Sequence, residues 1–312
     1  MCFWKSIVGL LLLVSAGCVL KKEQGSVSRE KIESNKQVSY FIPVLITKYS
    51  AIQSPCVDVE IDGKKMSMEL DLGYWGDLTI IKEMADRIPN KSFIREKQMY
   101  GIRGKQYPTN LYRISKVTIG QMTFLNPILQ QGTGEFIKDS TFIQNGGEPS
   151  IRPPGRLGWE LFYKVNLLID IQNSQIAFCD SLDTLQSKGY SVAFFTKTPL
   201  LIDRGLVEFQ AETSEGTLRC MLDTGTTWNM LNKEVSEEQS IDKAIWDPKS
   251  VIDCSVFKIG GKDLGPINFH QIPLKAPIQI DAILGMEFFQ QNLVFLDFRQ
   301  GFAYFSVGKR SF

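Results

Sequence analysis

The stretch Cys220-Met-Leu-Asp-Thr-Gly-Thr-Thr-Trp-Asn-Met-Leu231 places an acid, Asp223, after two apolar residues and before Thr-Gly. A carboxylate there leaves a buried strand at a sharp turn, and Asp and Gly are ordinary turn residues. A second such acid changes what is chemically possible. Two carboxylates held close together cannot both ionise comfortably, so they share a proton and one apparent pKa rises. The ionised member can take a proton from a bound water, and the protonated member can hydrogen-bond a developing oxyanion. The chain holds that second acid: Met66-Ser-Met-Glu-Leu-Asp-Leu-Gly73 reaches Asp71, 152 residues before Asp223.

Two equivalent acids need two equivalent frames, and the sequence repeats itself accordingly. Cys56-Val-Asp-Val-Glu-Ile61 alternates with period two, turns at Asp62-Gly63 and returns as Met66-Ser-Met-Glu-Leu70. Leu206 to Thr213, the turn Ser214-Glu-Gly216 and Thr217 to Leu222 replay that hairpin. Downstream, Arg156-Leu-Gly-Trp-Glu-Leu-Phe162 precedes strands at Leu167-Leu-Ile-Asp170 and Ile176-Ala-Phe178. Its counterpart, Ile283-Leu-Gly-Met-Glu-Phe-Phe289, precedes Val294-Phe-Leu-Asp297 and Ala303-Tyr-Phe305. From acid to leucine is 86 residues in the first copy and 61 in the second, the excess falling in a Gly- and Pro-rich insert around Gly132 to Pro154. Val117-Thr-Ile119 reads as a further strand, and Ile81 to Ile88 as a short helix stopped at Pro89. Glu160 and Glu287 sit at the starts of short helices, and Asp170 and Asp297 read as structural acids at strand ends. The chain is expected to be mostly β.

Apolar-apolar-Asp-Thr-Gly followed by apolar-Leu-Gly-x-x-Phe and a paired strand resembles the signature of aspartic proteases of the pepsin and retroviral-protease clan. The resemblance covers roughly residues 50–182 and 200–312, close in the second copy and weaker in the first. It implies a bilobal pepsin-like fold of two pseudo-symmetric β-barrel-like lobes with an active-site cleft between them. The lobes would span 41–183 and 200–312 with a linker at 184–199, and the single-chain pseudo-dimer would act as a monomer. Asp71 and Asp223 would be the catalytic dyad, with no metal, cofactor or covalent intermediate required. Gly73 and Gly225 would permit the tight turn, and Thr224, followed by Thr226, would send its hydroxyl across to the opposite lobe's backbone. Two positions depart from the pattern. Leu72 stands where Thr224 has its hydroxyl, and Tyr74 where Ser, Thr or Ala is usual. Tyr100, Gly101, Gly104 and Tyr107 lie in a stretch placed like the family's flap, an ordinary surface hairpin being the alternative. Lys258-Ile-Gly-Gly261 stands as the equivalent turn in the second lobe, and Trp75 and Trp228 are either subsite walls or core.

Composition narrows the field. Lys and Arg number 35 against 34 Asp and Glu, which gives no electrostatic case for nucleic acid. The single histidine, His270, argues against a His-rich metal site and reads as a surface or satisfied residue. At the N-terminus Lys5, an apolar run from Ile7 to Val14 and Ser15-Ala-Gly-Cys18 follow the secretory pattern and resemble a bacterial lipoprotein signal. That makes 1–17 a signal peptide, Cys18 the lipidation site and 18–40 a polar tether, with an uncleaved anchor helix as the alternative. Either places the domain outside the cytoplasm, at the bacterial cell envelope. Cys56, Cys179, Cys220 and Cys254 are then two disulfides or buried free thiols. The expected activity is a membrane-anchored aspartic endopeptidase acting on peptide or protein substrates. The alternative is a protein of the same fold that binds peptide or a partner without turnover, which the Leu72-Gly73-Tyr74 stretch favours.

Overall fold

The computed structural model describes residues 39–50, 53–100, 106–132, 153–203, 205–232, 251–272 and 280–307. The signal peptide, Cys18, nearly all of the tether and most of the Gly- and Pro-rich insert lie outside the described residues. Among the described residues no helix is long and apolar enough to cross a membrane.

Short alternating runs fold as strands because each can turn one face to a core. Pro55–Ile61 and Lys64–Asp71 form the first hairpin, with Asp62 and Gly63 at φ of 45° and 84° making its two-residue turn. Leu206–Thr213 and Gly216–Leu222 pair in the same way. The strand carrying Leu-Gly then inserts beside each acid-bearing strand. Gly155–Gly158 runs parallel to Lys64–Asp71, with Leu157 opposite Leu70 and Gly158 opposite Asp71. Ala282–Leu284 runs parallel to Gly216–Leu222, with Leu284 opposite Leu222. Flanked on both sides, the acid-bearing strands lose their polar face near the acids, and Leu70 and Leu222 are fully buried.

These strands belong to two curled half-barrel sheets with one strand order. The first runs Ile128–Gly132, Leu78–Ile81, Gly155–Gly158, Lys64–Asp71, Pro55–Ile61, Lys116–Ile119. The second runs Ile267–Ile272, Met230–Asn232, Ala282–Leu284, Gly216–Leu222, Leu206–Thr213, Phe257–Ile259. This match corrects one expectation. The Lys258–Gly261 turn joins Phe257–Ile259 to Lys262–Asp263 and therefore corresponds to the turn at Gly120, between Lys116–Ile119 and Met122–Leu125. It is not the counterpart of the hairpin formed by Ser92–Tyr100 and Gln106–Arg113.

A third sheet joins the halves. Its order is Phe41–Leu45, Gln175–Cys179, Asn166–Asp170, Asn292–Asp297, Phe302–Val307, Thr196–Pro199. The two central strands, one from each half, pair antiparallel with Leu168 opposite Phe295. The segment expected as a linker is thus built into the fold. It begins in the helix Leu182–Ser187, whose first turn is capped by Ser181 accepting the Thr184 N–H at 3.2 Å, and ends as an edge strand. One continuous apolar core runs through Leu70, Phe162 and Phe178 of the first half and Phe209, Phe289 and Phe305 of the second. Truncating any one such phenylalanine to alanine costs about 3–5 kcal/mol, so the halves depend on a common interior. Cys56, Cys179, Cys220 and Cys254 are free thiols, and burial pushes the Cys56 thiol up to about 12 and Cys179 to about 11.

Candidate functional site

The two acids meet. Asp71 closes its strand and is 5% exposed; Asp223 follows its strand directly and is less deeply covered. Their loops fold alike, the Tyr74 N–H donating to the Asp71 carbonyl at 3.1 Å and the Thr226 N–H to the Asp223 carbonyl at 3.4 Å. The side chains of Asp71 and Asp223 lie close enough for each to act on the other's ionisation.

The dyad glycines are required by contact rather than by backbone angle. Gly73 and Gly225 lie in the tight turns after the acids, but neither has a positive φ, so the turn itself does not demand glycine. A Cβ on Gly73 would lie 2.6 Å from either carboxylate oxygen of Asp223, and one on Gly225 would lie 2.6 Å from Oδ2 of Asp71. Each carboxylate therefore sits in the space left by the glycine of the opposite loop. The Leu-Gly glycines serve a related purpose. A Cβ on Gly158 would lie 2.7 Å from Cδ1 of Tyr74, and one on Gly285 would lie 3.0 Å from Cγ2 of Thr226. Tyr74, the departure from the pattern, is buried against Gly158 and Gly76, as Thr226 is against Gly285.

Thr224 links the halves. Its hydroxyl donates to the Leu70 carbonyl at 2.7 Å and accepts the Leu72 N–H at 3.1 Å, all within the interior. Leu72 returns no such bond, because its side chain has no polar atom and packs instead in the apolar core. The link is one-sided.

The feature not recognised from sequence is Arg156. It is 6% exposed, and its Nη1 lies 3.2 Å from Oδ2 of Asp71 while its Nε lies 3.3 Å from Oε2 of the buried Glu69. Burial works against the guanidinium charge, but Asp71, Glu69 and Asp223 outweigh it and raise the arginine pKa. Burial, reinforced by the charge of Asp71, pushes the Asp223 carboxyl well above the usual range. The Gly225 N–H, donating to Oδ1 of Asp223 at 2.8 Å, and the more distant Arg156 oppose that rise. Its sequence signal is a charged residue at the head of Leu-Gly where the second copy has Ile283.

The remaining expected residues divide. Trp75 and Trp228, both partly buried, pack on one cluster of Leu206, Met221, Met230, Ile280 and Ile283. Trp228 also stacks on His270 with ring centres 4.8 Å apart, and Nε2 of His270 lies 3.9 Å from Oε1 of Glu287. The first-half hairpin pairs out to Tyr100 opposite Gln106, but its tip with Gly101 and Gly104, and the side chains of Tyr100 and Tyr107, lie outside the described residues. Asp170 accepts from Asn173 Nδ2 at 2.7 Å and the Tyr190 hydroxyl at 3.0 Å, and Asp297 accepts the Gln300 N–H at 3.0 Å. Both are tied into turns. Among the described residues no group of three or more His, Cys, Asp and Glu side chains is placed to hold a metal ion. No protein-family model matches the chain, and no curated protein matches it.

Proposed function

We propose that the chain is an aspartic endopeptidase of pepsin-like, bilobal architecture in which Asp71 and Asp223 activate a water against a peptide carbonyl. The observation that carries this reading is the reciprocal packing of two carboxylates, each seated on the glycine of the other's loop. Asp71, beside Arg156, is the ionised member, and Asp223 holds the shared proton. As water oxygen bonds to the carbonyl carbon, its proton passes to Asp71, and Asp223 gives its proton to the carbonyl oxygen. The resulting diol collapses when Asp71 protonates the amide nitrogen, the C–N bond breaks and Asp223 recovers a proton from a diol hydroxyl. Both acids return to their starting states. The one-sided Thr224 link and the shared sheet hold the acids in place.

In this reading the domain is held at the bacterial envelope by a lipid on Cys18, testable by the mass of the N-terminal peptide from the native host. The activity test is cleavage of a peptide mixture by the full chain from acidic to neutral pH, beside Asp71→Asn and Asp223→Asn. Cleavage by the wild type, lost in both variants, is the expected result. Equal cleavage by all three rules out the dyad. A second reading, peptide binding without turnover, is favoured by the ion pair that occupies one oxygen of Asp71 and by the missing hydroxyl at Leu72. Under it the wild type retains peptides but cuts none at any pH.

A further inference from the structure

Arg156 breaks the pseudo-symmetry of the two sheets. Where the first half pairs Arg156 with Glu69 across parallel strands, the second pairs Ile283 with Met221 in the same register. Met221 and Ile283 are buried, so an apolar pair satisfies the packing of this position. Replacing a buried charged pair by packed apolar residues is often neutral or stabilising, so stability is a weak reason for this pair. What the charged pair adds is a cation in direct contact with one member of the dyad and farther from the other.

We propose that Arg156 is a positioning residue that holds Asp71 as the ionised partner and so fixes the direction of proton transfer across the dyad. The inference rests on the hydrolytic reading above. The groups facing the guanidinium are Asp71 and Glu69 from its neighbouring strand, Asp223 from the opposite loop and Tyr74 from the turn after Asp71. Tyr74 is buried, and burial pushes its hydroxyl well above the ordinary tyrosine range, which leaves it neutral. Arg156 and Glu69 cancel, so the dyad retains the single negative charge that one shared proton leaves it. The pair thus changes where that charge sits rather than how much there is. The cation touches Asp71 directly, while Glu69 meets the guanidinium through Nε, on a different nitrogen from Asp71.

The test compares the full chain with Glu69→Met/Arg156→Ile, Glu69→Gln and Arg156→Lys. The double variant installs the second half's own apolar pair, which protects the fold. Two readouts are taken: the pH profile of kcat/KM, and the carbon-13 carboxyl titration of the aspartates by NMR without substrate. Removing the cation together with Glu69 should move the acidic limb, and the matching NMR transition, upward by about 1 pH unit or more. Glu69→Gln leaves the cation uncompensated and should move both downward, while Arg156→Lys should stay closer to wild type than the double variant. Opposite shifts are not expected of a merely structural pair. Unchanged transitions in a folded double variant, or shifts of the same sign in it and Glu69→Gln, overturn the proposal. If the wild type cuts no peptide, the hydrolytic reading falls alone, and the carboxyl titration still decides whether Arg156 biases the pair.

Discussion

Thr224→Val removes one oxygen and should cost more than an ordinary buried hydroxyl does. That oxygen satisfies two backbone groups of the opposite loop, the Leu70 carbonyl at 2.7 Å and the Leu72 N–H at 3.1 Å. Valine nearly preserves the shape, so the loss is polar. Each buried group left without its partner costs about 1–3 kcal/mol, giving about 2–6 kcal/mol for the pair. Thr109→Val is the internal comparator, because the Thr109 hydroxyl is also buried and makes a single bond, to the Gln131 carbonyl at 2.7 Å. Its expected cost is about 1–3 kcal/mol, for the one group it strands. Urea unfolding followed by the fluorescence of the 5 tryptophans measures both, with an unchanged denaturant slope confirming that the same surface is exposed. A Thr224→Val loss no greater than that of Thr109→Val would refute the claim that one hydroxyl joins the loops.

Two further perturbations follow from the packing of the acids. Gly225→Ala puts a methyl 2.6 Å from Oδ2 of Asp71, so the carboxylate must move; peptide cleavage should fall by about 100-fold or more while urea unfolding still shows a cooperative transition. Asp223→Asn should change how stability depends on pH. Because the folded state raises the Asp223 pKa, it binds that proton more tightly than the unfolded chain does. Wild-type stability therefore falls as pH rises from the ordinary carboxylate range toward the raised value, and asparagine abolishes this contribution. Unfolding at about pH 4 and about pH 7 should show Asp223→Asn gaining on the wild type at the higher pH, and an equal difference at both values contradicts the assignment.

Much of the frame was legible because it is local. Alternation marked the hairpin strands, Asp62-Gly63 marked a turn, and the two Leu-Gly copies marked the strands that insert beside the acids. What escaped depends on registers set across long separations. Arg156 meets Glu69 only because strands 87 residues apart in sequence run parallel in one particular register, and no local pattern carries that information. The Lys258–Gly261 turn was misassigned because its glycines signal a hairpin without saying which strand it extends. The segment 184–199 read as a linker because the strand Thr196–Pro199 finds its partner only in Phe302–Val307. Gly73 and Gly225 were identified, but their reason was not, since a glycine needed for a facing side chain looks the same as one needed for a turn.

The sheet shared by the halves carries a genetic consequence. In an assembly of two identical chains, one codon writes both loops, so an arginine or leucine useful on one side is imposed on the other. Here position 72 and position 224 are separate heritable sites, as are 156 and 283. Covalent continuity through Thr196–Pro199 lets a mutation be tried in one acid's surroundings while the other's remain as they were. A buried arginine beside one acid and isoleucine beside the other is a combination that a fused chain can hold and a homodimer cannot.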